Sequence, residues 1–114
     1  MAHQGDAGNV VMAMYRPKPG MDDALRGIIS RHVPRLRELG LATSRPAVLL
    51  QAADGTYVEI FEWQPGAAQN AHGNPGVLEI WGAMEKVADF VRLADLAESQ
   101  RPFPHFRAAD GVTV

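Results

Sequence analysis

The segment that decides the fold is Tyr57-Val58-Glu59-Ile60-Phe61-Glu62-Trp63. In a strand, side chains alternate between the two faces, so the odd-numbered positions share one face and the even-numbered positions share the other. Both faces carry large apolar side chains, which predicts a strand that is buried on both sides. The pair Asp54-Gly55 precedes it and predicts a tight hairpin with a second apolar strand at residues 46–52.

Upstream of this hairpin, the chain predicts one strand and one helix. Residues 10–16 are apolar at alternating positions on both faces and predict a central strand that Pro17 ends. Apolar side chains at helical spacing then predict a helix from Asp22 to a stop at Gly40. Pro34 lies inside this helix, and because proline lacks a backbone N–H, we expect a kink or a division into two helices.

Downstream of the hairpin, the chain predicts a second main helix and a tail. Residues 67–72 favour a short helical turn, and Asn74 followed by Pro75 predicts the start of the helix. Residues 89–94 form a fourth strand or prolong that helix. Prolines favour an extended tail at residues 101–107.

The predicted order β-α-β-β-α-β is that of an α+β, ferredoxin-like fold with both helices on one face of an antiparallel sheet. The first three strands are apolar on both faces, so the uncovered face would expose a large hydrophobic patch in a monomer. We therefore predict a homodimer that packs sheet against sheet. The chain divides into a loose lead-in at residues 1–8, a folded domain at 9–100 and an extended C-terminal arm at 101–114, which could cross the partner.

Composition restricts the class of function. The 114 residues include 46% hydrophobic and 21% charged residues, which is typical of one globular domain. A net charge of -2 gives no electrostatic reason to expect a nucleic-acid partner. The absence of cysteine excludes disulfides, thiolate catalysis and cysteine-ligated metal centres. No apolar run approaches the ~20 residues of a membrane span and the first residues lack signal-peptide features, so we predict a cytoplasmic protein without a membrane partner.

Several of these features together resemble the dimeric α+β barrel superfamily, and its antibiotic biosynthesis monooxygenase-like branch in particular. They are a strand entering Pro19-Gly20, a helix ending in Gly40-Leu41, an aromatic strand ending in Glu62-Trp63, and His72 nine residues later, within residues 9–94. The resemblance implies a homodimer with a pocket between sheet and helices in each subunit. Some members of the family oxygenate polycyclic aromatic substrates without metal or flavin, others degrade haem, and many have no known activity.

The haem-degrading members use a triad of Asn, Trp and His that this chain does not carry. His72 stands where their second tryptophan would fall, and Trp81 and Gly82 stand near the place of their histidine. Asn9 alone corresponds loosely to their asparagine. The resemblance therefore does not extend to haem degradation.

Two histidines are candidates for chemistry. His72 follows a strand end and a turn, where binding groups often lie, and could act as a general base near neutral pH; alternatively it is a surface or capping histidine. His32 lies on the apolar arc of the first helix and points toward the sheet. It either lines a pocket or is a core histidine bonded to a backbone carbonyl.

Three further residues are candidates for lining a ligand pocket. Glu59 shares a strand face with Trp63, and if that face is buried its carboxylate must be paired or protonated. Arg45 or Arg92 could instead neutralise it in an internal ion pair. Trp63 and Trp81 could form aromatic walls for a flat ligand or belong to the core.

The sequence predicts neither a cofactor nor a metal ion. His32, His72 and Glu59 could form a two-histidine, one-carboxylate site, but they lie on separate elements without supporting spacing. No Gly-x-Ser-x-Gly elbow, P-loop or dinucleotide-binding fingerprint is present.

Two functional hypotheses remain. The first is a cofactor-independent monooxygenase acting on an aromatic or polyketide-like small molecule, in which His72 deprotonates a phenol or enol beside Trp63 and Trp81. The second is a non-catalytic dimeric barrel that binds a small apolar ligand or has a structural role. They differ in whether His72 or His32 opens on a cavity of ligand size.

Overall fold

The computed structural model of the chain describes residues 8–109 and 111–112. Its elements in chain order are β1 (Asn9–Pro17), α1 (Asp22–Glu38), β2 (Val48–Gln51), β3 (Tyr57–Trp63), α2 (Ala67–Ala71), α3 (Pro75–Val87), β4 (Ala88–Phe90), 3₁₀ turns at Leu93–Asp95 and Ala97–Gln100, and β5 (Arg107–Ala108). Of the predicted lead-in at residues 1–8, all but Gly8 lies outside the described residues.

The five strands form one antiparallel sheet in the order β4-β1-β3-β2-β5. Strand β3 lies between β1 and β2, with Phe61 opposite Val11 and Tyr57 opposite both Tyr15 and Gln51. The prediction of an α+β fold with an antiparallel sheet is confirmed. The fifth strand is an addition to the four predicted, because part of the tail pairs with β2 of the same chain.

The hairpin between β2 and β3 has the turn that Asp54-Gly55 predicts. Gly55 has φ +94°, a left-handed conformation that glycine adopts without steric cost. Its N–H bonds to the carbonyl of Ala52 at 3.0 Å, and the Asp54 side chain accepts from the N–H of Thr56 at 2.8 Å. These local bonds fix the register that places Glu59 opposite Leu49.

Helix α1 continues through Pro34, so the predicted division into two helices is wrong. Proline removes one backbone hydrogen bond, and burial of Val33 and Leu36 on either side outweighs that loss. The helix ends at the predicted stop: Gly40 has φ +75°, and the N–H of Leu41 bonds to the carbonyl of Leu36 at 2.8 Å.

Helix α3 begins as the sequence predicts. The Asn74 side chain accepts from the backbone N–H groups of Gly76 at 2.9 Å and Val77 at 3.3 Å, and Pro75 is the first helical residue. The short helical turn predicted near residues 67–72 is α2.

Strand β4 occupies Ala88–Phe90, so the strand predicted at residues 89–94 begins earlier and is shorter. The chain turns because Asp95 accepts from the backbone N–H of Arg92 at 3.0 Å and pairs with its guanidinium at 2.9 Å. These local bonds favour a 3₁₀ turn over continued strand pairing.

Helices α1 and α3 pack together and against one face of the sheet. That face carries Glu59 and Trp63, which settles the side of the sheet on which they lie. Two core clusters join it to the helices; their members include Leu25, Ile29, Val33, Leu36, Tyr57, Phe61, Val77 and Met84.

The opposite face of the sheet is partly covered by the chain itself. After β4 the tail returns across it, and Leu96 packs against Val58 together with Met14, Leu50 and Phe106. The monomer therefore exposes a smaller hydrophobic patch on this face than four bare strands would.

The remainder of this face is exposed. Its large apolar side chains include Val10, Met12 and Val48, which are 61%, 40% and 46% exposed. Within the described residues, no helix combines the length and the apolar character needed to cross a bilayer.

Candidate functional site

A cavity of about 590 Å³ lies between the helix-facing side of the sheet and α3. Its lining residues come from six parts of the chain: Val11, Met12, Ala13, Met14, Tyr15, His32, Phe61, Trp63, His72, Leu78, Trp81, Glu85, Phe90 and Val91. Its volume is that of a site for a small organic molecule. We call four of the exposed lining residues, His72, Leu78, Glu85 and Phe90, the mouth, and the buried residues Tyr15, His32, Phe61 and Trp63 the deep end.

Glu59 lies behind the deep end, with no exposed surface. One of its carboxylate oxygens, Oε1, accepts a hydrogen bond from the Tyr15 hydroxyl at 2.9 Å and lies 2.7 Å from Nδ1 of His32. The fold brings these groups together because β1 and β3 pair in a register that puts Tyr15 diagonally across from Glu59, while α1 lays His32 over both.

The hydrogen bond from Trp81 shows where the proton of His32 lies. The indole Nε1 of Trp81 lies 3.0 Å from Nε2 of His32, and an indole N–H can only donate. Nε2 must therefore accept, which leaves the imidazole proton on Nδ1 to be donated to Glu59. Since Oε1 of Glu59 also accepts from Tyr15, that oxygen carries no proton.

Tyr15 is the donor at the other end of this network. Burial, followed by the charge of Glu59 and the hydrogen bond to it, raises the pKa of the Tyr15 hydroxyl well above its ordinary value. The hydroxyl therefore stays protonated and remains a donor to Glu59 across the neutral pH range. The second oxygen of Glu59, Oε2, has no hydrogen-bond partner among the described residues.

His72 differs from His32 in its exposure and in its hydrogen bonding. It follows α2, is exposed at the mouth, and its imidazole makes no hydrogen bond within the described part of the chain. Its ring centroid lies 5.3 Å from that of Trp81 in an edge-to-face arrangement. A ligand at the mouth could therefore reach imidazole nitrogens that no described residue hydrogen-bonds.

Aromatic rings line the deep end. The ring centroids of Phe61 and Trp63 are 5.0 Å apart, and those of Phe61 and His32 are 5.6 Å apart, both edge to face. Trp63 belongs to the core cluster and also lines the cavity. Trp81 is half-buried beside the same cluster and forms part of the opposite wall.

The charge of the lining is low. Glu85, at the mouth, is the lining residue with a formal charge, and neither lysine nor arginine lines the cavity in the described ranges. Binding here offers no cation to an anionic ligand. The cavity suits a neutral, largely apolar molecule with one or two hydrogen-bonding groups.

Four of the five predicted site residues line the cavity: His32, His72, Trp63 and Trp81. The fifth, Glu59, contacts the lining through His32 and Tyr15. The alternative of an arginine partner for Glu59 is wrong. Arg45 pairs with Glu62 at 3.1 Å and Arg92 pairs with Asp95 at 2.9 Å, because each lies in an exposed connecting segment.

The structure brings His32 and Glu59 together but does not assemble a metal site with His72. Among the residues described, no group of three or more histidine or acidic side chains is placed to hold a metal ion.

Tyr15 is the site residue that sequence reasoning did not select. The signal for it was present: it is the tyrosine at the end of the first strand, on the same face as Val11 and Ala13. Only the register between β1 and β3 shows that its hydroxyl reaches Glu59, and no local pattern fixes that register.

The described residues thus define an α+β protein with a five-stranded antiparallel sheet and an apolar cavity of ligand size. Comparison with protein-family models, with curated proteins and with solved structures finds no match to this chain.

Proposed function

We propose that this chain is a cofactor-independent monooxygenase that acts on a neutral aromatic or polyketide-like molecule bound in the cavity. The observation that carries the proposal is the exposed imidazole of His72 at the mouth of a cavity that is otherwise almost entirely apolar and aromatic. Such a site combines a base with a surface that favours flat ligands.

The architecture proposed for this function is a ferredoxin-like unit in a dimeric α+β barrel. The order β4-β1-β3-β2, with one helix between β1 and β2 and another between β3 and β4, supports the ferredoxin-like part. The exposed Val10, Met12 and Val48 support packing of this sheet face against a second copy. A cytoplasmic location remains part of the proposal.

In the proposed reaction, His72 removes the O–H proton of a phenol or enol whose keto tautomer carries a CH₂ group at the reacting carbon, as in an anthrone, so that in the anion this carbon bears one hydrogen. The resulting electron-rich anion reduces O₂, and a bond forms between that carbon and one oxygen atom to give a peroxide. The O–O bond then breaks as the carbon loses its remaining hydrogen, and the second oxygen leaves as water. The net change converts CH₂ and O₂ into C=O and H₂O, so the substrate supplies all the electrons.

The protein's contribution to this chemistry is binding, orientation and one proton transfer. Phe61, Trp63 and Trp81 would hold the flat rings, and the low polarity of the wall would favour the neutral substrate before deprotonation. His72 is placed at the mouth, where the proton that it accepts can pass to solvent. A positioned general base contributes about 10²–10⁴-fold in rate.

The test is oxygen uptake with model anthrones and quinols. Wild type should consume O₂ above the uncatalysed rate, and His72→Ala should lose about 10²-fold or more of that rate. His105→Ala is the matched control, because His105 is an exposed histidine in the tail, outside the cavity lining. Equal rates for wild type and His72→Ala would eliminate the proposed base.

The second candidate function is binding without catalysis, either of a small apolar ligand or in a structural role. The observation that favours it is that, within the described ranges, no acidic group hydrogen-bonds to His72 to orient it as a base. Tryptophan quenching by a flat aromatic ligand, without oxygen uptake above background, would support binding and count against the oxygenase.

A further inference from the structure

We propose that Glu59 is a positioning residue that fixes the indole of Trp81 through the tautomer of His32, and thereby holds the cavity wall against His72. The inference rests on the proposed function only in treating the cavity as the ligand site. The contacts that carry it are the 2.7 Å approach of His32 Nδ1 to Glu59 and the 3.0 Å hydrogen bond from Trp81 to His32.

Burying the carboxylate of Glu59 costs free energy. Glu59 has no exposed surface, and its charged or polar partners are Tyr15 and His32, with no lysine or arginine paired to it among the described residues. A buried carboxylate without a cationic partner is costly compared with an apolar side chain of similar size. The residue directly opposite Glu59 on β2 is the apolar Leu49, so packing alone does not require an acid at this position.

The contact with Glu59 selects the tautomer of the His32 imidazole. A neutral histidine has one N–H and one acceptor nitrogen, and the bond made by one nitrogen decides the state of the other. Glu59 accepts from Nδ1, which leaves the lone pair of Nε2 directed at Trp81. Without Glu59, the polar neighbour left at Nδ1 is the Tyr15 hydroxyl at 3.5 Å, which can donate to an unprotonated Nδ1. The imidazole can then take the other tautomer, and its Nε2–H would face the indole N–H of Trp81.

The hydrogen bond from Trp81 to His32 holds the indole ring in the cavity wall. Trp81 is half-buried, and its ring lies edge to face against His72, at 5.3 Å between centroids. The hydrogen bond to His32 fixes the indole on its inner side, and the contact with His72 lies on the other. Losing that bond frees the ring to rotate, which changes the cavity and the placement of the proposed base together.

The test reads the tautomer directly by long-range ¹H–¹⁵N correlation spectra of the ¹⁵N-labelled full chain near neutral pH. In wild type, His32 should carry its proton on Nδ1, and the indole N–H of Trp81 should be protected from hydrogen exchange. In Glu59→Gln the amide oxygen still accepts from Nδ1–H and from Tyr15, and the amide nitrogen takes the place of the unpartnered Oε2. Both signatures should therefore survive within about twofold.

Glu59→Leu should change both signatures. The proton of His32 should appear on Nε2, and the indole N–H of Trp81 should exchange about tenfold faster or more, in line with the loss of one buried hydrogen bond. A wild-type His32 with its proton on Nε2, or unchanged Trp81 protection in a folded Glu59→Leu protein, would overturn the proposal.

A second variant keeps the test decisive if Glu59→Leu does not fold. In Trp81→Phe the acid remains, so His32 should keep its proton on Nδ1. A move of the proton to Nε2 in that variant would show that Trp81, and not Glu59, sets the tautomer, which contradicts the inference. Oxygen uptake plays no part in these measurements, so an inactive wild type with the expected tautomer would count against the oxygenase and leave the positioning role supported.

Discussion

Tyr15→Phe isolates the hydrogen bond that the buried network depends on. The substitution removes the O–H that donates to Glu59 Oε1 at 2.9 Å, and it keeps the ring that packs edge to face against Phe90 at 5.8 Å between centroids. A hydrogen bond to a charged group contributes about 1.5–3 kcal/mol, and little packing is lost. We expect the free energy of unfolding to fall by that amount.

For a chain of this length, 1 kcal/mol corresponds to about 4 °C in Tm, so Tyr15→Phe should lower Tm by about 6–12 °C. The measurement is urea and thermal unfolding followed by far-UV circular dichroism. The same substitution in a Glu59→Leu background provides the control. There the hydroxyl has lost Glu59 and keeps only its 3.5 Å approach to Nδ1 of His32, so replacing it with hydrogen should cost clearly less than in wild type.

The reasoning is refuted if Tyr15→Phe costs less than about 0.5 kcal/mol, which is the range of ordinary surface substitutions. It is also refuted if the substitution costs the same in both backgrounds, because additive effects would mean that Tyr15 and Glu59 do not interact.

Three further outcomes are expected. Burial is the largest cause that raises the pKa of both Tyr15 and Tyr57. The stability that the two tyrosines contribute is fully present below about pH 10 and is lost as the pH rises through their raised folded-state pKa. Tyrosinate absorbance of the folded protein should therefore show no midpoint at about pH 10. Asn74→Ala should lower the free energy of unfolding by about 1 kcal/mol in urea titrations, while Asn74→Asp, which keeps the capping oxygen, should be nearly neutral. Val48→Glu should convert the proposed dimer into a monomer in analytical ultracentrifugation. Leu93→Glu, which changes a similarly exposed residue outside the strands, should leave the dimer intact. A wild-type monomer would contradict the proposed assembly.

The elements that sequence reasoning predicts well are those with local causes. Asn74 caps α3 through its own side chain, Gly40 ends α1 because it can adopt positive φ, and Asp54-Gly55 makes its turn within a few residues. Each of these signals is complete within one short segment. The local patterns therefore suffice to predict the order of the main helices and the first three strands along the chain.

The features that sequence reasoning misses have distant causes. Helix α1 continues through Pro34 because tertiary burial outweighs a local penalty, and β5 forms because the tail returns to β2. The partner of Glu59 is His32 and not an arginine, a fact that depends on how α1 packs over the sheet. Neither the periodicity nor the charge pattern of the sequence specifies such contacts.

The cavity also combines features with local causes and features with distant causes. Periodicity places His32 and Trp81 on the inward faces of their helices, and the structure places both in the cavity wall. The hydrogen bond between them joins residues 49 positions apart, and its direction follows only from the chemistry of the indole.

We propose that His72 provides the base for oxygen insertion into a ligand bound in this cavity. The most direct measurement is mass spectrometry of the product formed from an anthrone under ¹⁸O₂, with His72→Ala and His105→Ala measured in parallel. The account predicts one labelled oxygen per product carbonyl, formed by wild type and His105→Ala well above the uncatalysed rate and by His72→Ala close to it. Label incorporation at equal rates in all three proteins, or at the uncatalysed rate in wild type, would contradict it.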